Sequence, residues 1–373
     1  MSQQLLEANG SYEILDSWFA ENRVSRAMLV CGKSIQRQKI HGYFEEVPRR
    51  LGVQILRFTD FAPNPLYESV REGVKLFRQN RCDAIIAVGG GSAMDVAKCI
   101  KLYSRMDGDG AEGAYLSQTI IPNEIPFLAM PTTAGTGSEA TRFAVIYYEG
   151  AKQSVSDPSC IPGTVLMDSS VLKTLPEYQK KATMMDALCH AVESFWSVNS
   201  TEESREYSRK AIRQITGSME AYLANRDSGN AQMLLAAHTA GRAINITQTT
   251  AGHAMCYKIT SLFGCAHGHA AALCVRILFP WMIRNAERCS DPRGAKYLKQ
   301  TLDEIGQALG GADAAEGAAR FEEIFSGLGL EVPAATEEQY ALLQTSVNPV
   351  RLKNHPIALD NETIGQLYHE ILR

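Results

Sequence analysis

Ala84-Ile85-Ile86-Ala87-Val88 runs straight into Gly89-Gly90-Gly91-Ser92-Ala93-Met94-Asp95, and this junction decides the fold class. A short apolar run bounded by a turn signal predicts a buried strand, and Ser92 to Tyr103 has the apolar spacing of a helix. Glycines between the two let the backbone approach a pyrophosphate, while the helix start offers unpaired N–H groups and a positive dipole end. Taken alone, the triple glycine also suits a plain turn. Ser92 with Asp95 resembles a capping box in which Asp replaces Glu. The pattern is not Gly-x-Gly-x-x-Gly.

Working outward, Ala27 to Cys31, Val53 to Phe58 and Pro126 to Met130 repeat the strand signal, separated by helical stretches such as Leu66 to Gln79. That alternation predicts an α/β layer with a mostly parallel sheet. Phe143 to Tyr148 and Gln153 to Val155, across Glu149 and Gly150, read as a hairpin. After Leu175 the strands stop. Helical periods cover Lys180 to Ser197, Glu203 to Ala224, Gly229 to Ile244, Thr249 to Leu262, His267 to Asn285, Ala295 to Leu309 and Asn361 to Leu372. Asp360 stands at the N-cap of the last, and Gly310 to Gly317 reads as a Gly/Ala-rich loop. The expected organisation is an α/β dinucleotide-binding domain over 1–174 and an all-helical metal-binding and substrate domain over 175–373, with ligands in a cleft between them.

A second polar loop, Pro131-Thr132-Thr133-Ala134-Gly135-Thr136-Gly137-Ser138-Glu139, follows the strand ending at Met130, where an open α/β sheet binds ligands. Hydroxyl residues are also ordinary turn formers, but two such loops in one domain favour a dinucleotide.

The helical half carries chemistry of another kind. Asp186 and His190 are four apart, on one face of a helix, and His253 and His267 lie fourteen residues apart on successive elements. An isolated Asp-x-x-x-His pair is commonly a surface hydrogen bond. Two further histidines in apolar, Gly-punctuated sequence change that reading, because burying rings without partners is costly. One carboxylate and three imidazoles suit Fe(II) or Zn(II) and leave a coordination position for substrate oxygen.

Composition sets the outer limits. A chain of 373 residues exceeds a single core, and a net charge of -4 with scattered basic residues gives no case for nucleic acid. Nine cysteines with no Cys-x-x-Cys pair argue for a reducing cytosol. Neither a signal peptide nor an apolar run of about 18 residues is present, so no membrane span is expected.

These motifs, in order, resemble the iron-containing (group III) alcohol dehydrogenase family, whose fold is related to dehydroquinate synthase. The resemblance rests on Pro63-Asn64-Pro65, Gly89-Gly90-Gly91-Ser92 with Asp95, Pro131 to Glu139, Asp157-Pro158, Asp186-Ala187-Leu188-Cys189-His190-Ala191-Val192-Glu193, Gly252-His253-Ala254-Met255 and His267-Gly268. It implies metal at Asp186, His190, His253 and His267. It further implies nicotinamide dinucleotide along Asn64, Gly90, Gly91, Ser92, Asp95, Thr132, Thr133, Thr136 and Lys152. A cytoplasmic homodimer is expected.

Two departures from the family pattern are informative. Many members carry a histidine four residues after the match to His253, assigned to proton transfer, whereas this chain has Tyr257. The expected substitutes are the Tyr257 hydroxyl, His269 or water, and packing is the alternative for Tyr257. NAD-preferring relatives commonly have an acidic residue where Gly32 stands. Gly32, with Lys33 and Ser34 beside it, would accept a 2'-phosphate, so NADP(H) is favoured over NAD(H).

Arg142 and Lys258 are candidate grips for an anionic substrate, with solvated surface charge as the alternative for each. The stretch Ala243 to Lys258 resembles the branch that reduces phosphonoacetaldehyde to 2-hydroxyethylphosphonate. The leading expectation is therefore an NADP(H)-dependent reductase of a small anionic aldehyde. A short-chain alcohol or polyol dehydrogenase on the same site stands second, a dehydroquinate synthase-like lyase third, and a silent binding protein last.

Overall fold

The computed structural model describes residues 3–8 and 10–372. Contacts within the chain divide it into two compact units, one running to Thr133 and resuming over Ser138–Val171, the other comprising Ala134–Gly137 and Leu172 onward.

The strands of the first unit are β1 (Gln4–Glu7), β2 (Arg26–Cys31), β3 (Gln54–Phe58), β4 (Ala84–Gly89), β5 (Phe127–Pro131), β6 (Phe143–Tyr148), β7 (Ala151–Ser156) and β8 (Thr164–Met167). Six of them form a sheet in the order β1-β8-β5-β4-β2-β3, parallel throughout, while β6 and β7 make the separate antiparallel hairpin. Helices α1 (Ile14–Glu21), α2 (Lys39–Leu51), α3 (Tyr67–Gln79), α4 (Gly91–Tyr103) and α5 (Ala114–Ser117) belong to the same unit. Parallel strands are covered on both faces, which is why β4 is an unbroken buried apolar run. Met28, Val30, Ile85, Ala87, Phe127 and Ala129 of the sheet pack with Val96, Ile100 and Tyr103 of α4.

The second unit is helical: α6 (Glu177–Trp196), α7 (Glu202–Leu223), α8 (Asp227–Thr247), α9 (Ala251–Phe263), α10 (His267–Arg284), α11 (Ala295–Ala308), α12 (Ala314–Gly327), α13 (Glu337–Ser346), α14 (Pro349–Leu352) and α15 (Asn361–Ile371). Asp360 caps α15, accepting the Thr363 N–H at 2.8 Å. Among the described residues, no helix is long and apolar enough to cross a membrane.

Three sequence expectations are corrected. Gly310 to Gly317 is not all loop: Asp313 caps α12 by accepting the Glu316 N–H at 3.0 Å, and Gly317 lies inside the helix. Its lack of a side chain serves close packing, since a Cβ there would stand 2.2 Å from the Cα of Gly306 on α11. Ser92 and Asp95 do not form a capping box, because the N-cap of α4 is Gly90 and no side chain caps it. The four-residue strands β1 and β8 extend the sheet beyond the expected set.

Candidate functional site

The parallel register of the first unit lines up the expected dinucleotide contacts. Val30 pairs with Phe58, Cys31 with Val88 and Gly89 with Pro131, so β3, β2, β4 and β5 end nearly level. Gly32, Gly89 to Ser92, and Thr132 with Thr133 therefore follow neighbouring strand ends, and Asn64 lies in the loop after β3. Strand order reverses between β2 and β4, the switch point at which open α/β sheets bind nucleotides. Thr132 N–H donates to the Gly89 carbonyl at 3.0 Å and ties the two loops together. Asn64 is exposed and adopts a left-handed conformation at φ 58°, which Asn tolerates better than most residues.

Asp95 faces the protein. It accepts from Ser138 Oγ at 3.1 Å, and Lys152 on β7 contributes to its electrostatic environment. Burial pushes its carboxyl up to about 6, against the opposing pull of Lys98. Lys98, fully buried on α4, was not anticipated. Its ammonium donates to the carbonyls of Ser138, Thr141 and Phe143 at 2.6, 2.8 and 2.7 Å, fastening the end of the Thr-rich loop onto α4. Thr136 itself falls with the second unit.

In the second unit, Asp186, His253 and His267 come together with their candidate ligand atoms all within 4.8 Å of one another. Helix α6 carries Asp186, α9 carries His253, and His267 is the first residue of α10. The close approach of α10 to α6 depends on Gly268, where a Cβ would stand 2.1 Å from the Ala182 carbonyl oxygen.

The geometry fits a metal ion. Asp186 Oδ1 and His253 Nε2 lie 3.5 Å apart, buried, and neither has a hydrogen-bond partner. Tetrahedral ligands about 2.1 Å from one ion stand roughly 3.4 Å apart, so a cation between them satisfies two otherwise orphaned atoms. His190 is brought beside this group without joining its closest set. Its ring stacks on that of His253 at 4.4 Å, and its Nδ1 is buried and unpartnered. Burial lowers the affinity of His190 for a proton, favouring the neutral, ligating form. Burial alone would raise Asp186, but His190, His253 and His267 outweigh it and hold the carboxyl well below the usual range.

Glu193 supports the cluster, a role the sequence reading did not assign. It is fully buried, pairs with Nδ1 of His253, and accepts the Thr250 N–H at 3.0 Å and the Thr250 hydroxyl at 2.6 Å. Those partners outweigh the effect of burial and hold its carboxyl down at about 2. Its signal was present, because positions 186, 190 and 193 share one helical face. Carboxylates that orient ligating imidazoles typically contribute 10- to 100-fold to metal affinity. Glu193→Gln is accordingly expected to weaken the binding of added metal by roughly that factor while the protein stays folded. Unchanged affinity in a metal titration would remove Glu193 from this role.

The two candidate proton donors separate clearly. Tyr257 on α9 stacks on His267 with centroids 5.3 Å apart and an interplanar angle of 19°, and its hydroxyl accepts from Arg351 Nη1 at 2.8 Å. His269 has both ring nitrogens engaged, Nδ1 with Tyr178 Oη at 3.1 Å and Nε2 with the Glu331 carbonyl at 2.9 Å. Tyr178 Oη also accepts the Ala266 N–H, so it donates to His269. The ring is thus a structural link and holds no nitrogen ready for proton transfer.

Arg142 belongs to the first unit, its guanidinium 5.0 Å over the Phe143 ring, and Lys258 sits half-buried on α9 of the second.

Comparison with known proteins agrees with this architecture. Residues 2–169 match the iron-containing alcohol dehydrogenase profile, and residues 180–372 match the C-terminal profile of the Fe-containing alcohol dehydrogenase family. The chain is 31% identical over 317 residues to a phosphonoacetaldehyde reductase of Streptomyces viridochromogenes, covering 81% of this chain and 80% of that one. It is 29% identical over 360 residues to the lactaldehyde reductase of Escherichia coli, covering 92% and 91%. Among solved structures, a sulfoacetaldehyde reductase from Bifidobacterium kashiwanohense in complex with NAD+ superposes with a TM-score of 0.86 at 23% identity, covering 99% and 97%. A 1,3-propanediol oxidoreductase superposes at 0.87 with 24% identity, again over 99% and 97%.

Proposed function

The chain belongs to the iron-containing alcohol dehydrogenase family, an NAD(P)- and metal-dependent class of oxidoreductases, and from that premise we propose that it reduces a small anionic aldehyde. Phosphonoacetaldehyde, giving 2-hydroxyethylphosphonate, is the leading substrate, supported by the 31% identity to a phosphonoacetaldehyde reductase. The single observation that carries a metal-assisted reduction is the pair of orphaned atoms, Asp186 Oδ1 and His253 Nε2, facing each other at 3.5 Å.

Asp186, His190, His253 and His267 would hold one divalent ion, Fe(II) or Zn(II). When bound, the metal would polarise the carbonyl as a Lewis acid and the reduced dinucleotide would supply the hydride to its carbon. Glu193 keeps the proton of His253 on Nδ1 and turns Nε2 toward the cluster. Tyr257 Oη gives the proton that completes the alcohol, and Arg351 Nη1 donates to that oxygen. Gly90 to Ser92 and the start of α4, with Thr132 and Thr133 beside them, would hold the cofactor's phosphates.

NADP(H) is the favoured dinucleotide. Gly32 has an ordinary extended conformation at φ -75°, and a Cβ there meets only Ser34 Oγ at 3.7 Å, so Gly32→Asp introduces charge without strain. A carboxylate near a 2'-phosphate at a half-buried rim costs on the order of 1 to 4 kcal/mol. The variant is expected to raise KM for NADPH at least about tenfold more than KM for NADH. Steady-state assays check this, and a wild type that strongly prefers NADH would sink it.

The decisive experiment is oxidation of NADPH and NADH by the metal-loaded enzyme against phosphonoacetaldehyde, sulfoacetaldehyde, lactaldehyde and propanal. A specificity constant at least tenfold higher for the anionic aldehydes supports the proposal. Preference for lactaldehyde would instead favour the neutral-substrate reading, which the broader coverage of the lactaldehyde reductase supports.

A further inference from the structure

Arg351 was named by no sequence motif, yet it stands next to the metal cluster. Rings and guanidinium follow one another outward: His267, then Tyr257 stacked on it at 5.3 Å, then the Arg351 guanidinium 4.9 Å over the Tyr257 ring. Arg351 is half-buried on the short helix α14. That helix starts with Pro349 and is capped by Asn348, whose side chain accepts the Val350 N–H at 2.9 Å. The chain beyond it is anchored twice, by Val198 N–H to the Asn354 carbonyl at 3.0 Å and by Ser290 N–H to the Pro356 carbonyl at 2.8 Å. Its position is set by tertiary structure.

Its partners distinguish it from the other half-buried arginines of the same unit. Arg205 and Arg209 pair with Glu304, Arg276 with Glu322 and Arg293 with Asp291. Among the described residues no carboxylate pairs with Arg351, and one of its N–H groups is spent, on Tyr257 Oη at 2.8 Å. A guanidinium carries five N–H donors in a rigid fork that matches two oxygens of one oxyanion. Removing it partly from water without a counter-charge is costly, and an anion on the substrate would offset that cost.

We infer that Arg351 is the specificity-determining residue that grips the anionic group of the substrate, a tetrahedral phosphonate or sulfonate close to the aldehyde carbon. The inference rests on the reading of the site as one that reduces a small aldehyde. Arg351 acts on binding, while Tyr257, which it touches, acts on proton delivery. Lys258 is one residue after Tyr257 on α9, and a helix turns successive side chains about 100° apart, so the two do not face the same way.

The test measures methylphosphonate and methylsulfonate binding to the metal- and NADP-loaded protein by calorimetry, beside aldehyde kinetics, for wild type, Arg351→Met, Arg351→Lys and Tyr257→Phe. Arg351→Met should weaken binding of the preferred anion by roughly 10- to 150-fold and lower the ratio of kcat/KM for its aldehyde over that for propanal by a similar factor. Arg351→Lys should restore part of both, as a point charge without the fork. Tyr257→Phe should lower kcat with little change in that ratio. Wild type and Arg351→Met binding both anions equally, or wild type binding neither, overturns the inference. Anion binding that depends on Arg351 in an enzyme that reduces only neutral aldehydes would uphold the anion site and overturn the substrate proposal. If Arg351→Met lowers both aldehydes equally and Tyr257→Phe does the same, Arg351 merely supports Tyr257.

Discussion

Asp186→Ala and His267→Ala are each expected to strip metal and turnover together. Each substitution removes one donor from a cluster whose ligand atoms lie within 4.8 Å of one another, and Asp186 is the only carboxylate in that group. Without it the imidazoles of His253 and His267 would hold the ion with no anionic charge in the set. Lewis-acid polarisation is worth several kcal/mol, and each 1.4 kcal/mol or so is tenfold in rate, so turnover should fall on the order of a thousandfold. Elemental analysis of the purified protein, beside an NADPH-oxidation assay, measures both. Full metal content with full turnover in either variant would take that residue out of the site.

Lys98→Met is expected to damage the dinucleotide unit although Lys98 is not itself a proposed cofactor contact. The ammonium is fully buried and satisfies the carbonyls of Ser138, Thr141 and Phe143. Methionine fills a similar volume but leaves those acceptors, and the Asp95 carboxylate, without their cation. Each abandoned buried acceptor costs about 1 to 3 kcal/mol, so losing the cation from three carbonyls costs on the order of 4 kcal/mol. A total near 4 kcal/mol lowers the midpoint of a unit this size by roughly 8 to 16 °C. NADPH affinity should fall with it, because the loop that begins at Thr132 loses its anchor. A melting point within a degree of wild type, with unchanged NADPH binding by calorimetry, would show that Lys98 does not hold the loop.

Much of the fold was legible from short-range pattern. The central strands β2, β4 and β5 are buried and read as nearly continuous apolar runs, whereas the edge strand β3 is only half-buried and carries Arg57. Strands β1 and β8, at four residues each, are too short to stand out from surrounding sequence. Helix α2 was passed over, and it contains Pro48, a residue that reads as a breaker. The Gly310 to Gly317 stretch looked like a loop because Gly317 is a poor helix former. Only the packing of α12 on Gly306 of α11 shows why a glycine is there.

For the site, sequence alone determined the residue types and their order: a glycine turn after a strand, a hydroxyl-rich loop, and Asp186, His190, His253 and His267. These follow from local chemistry and helical periodicity, which are encoded within a few residues. Tertiary structure alone decided what each group faces. It placed Glu193 beneath His253, gave both nitrogens of His269 structural partners, and brought Arg351 onto Tyr257 across 94 residues of chain. Periodicity says which side of a helix is buried, but not which buried side meets it. That choice is made by the packing of whole helices, where one close contact such as Gly268 against Ala182 sets the position of His267.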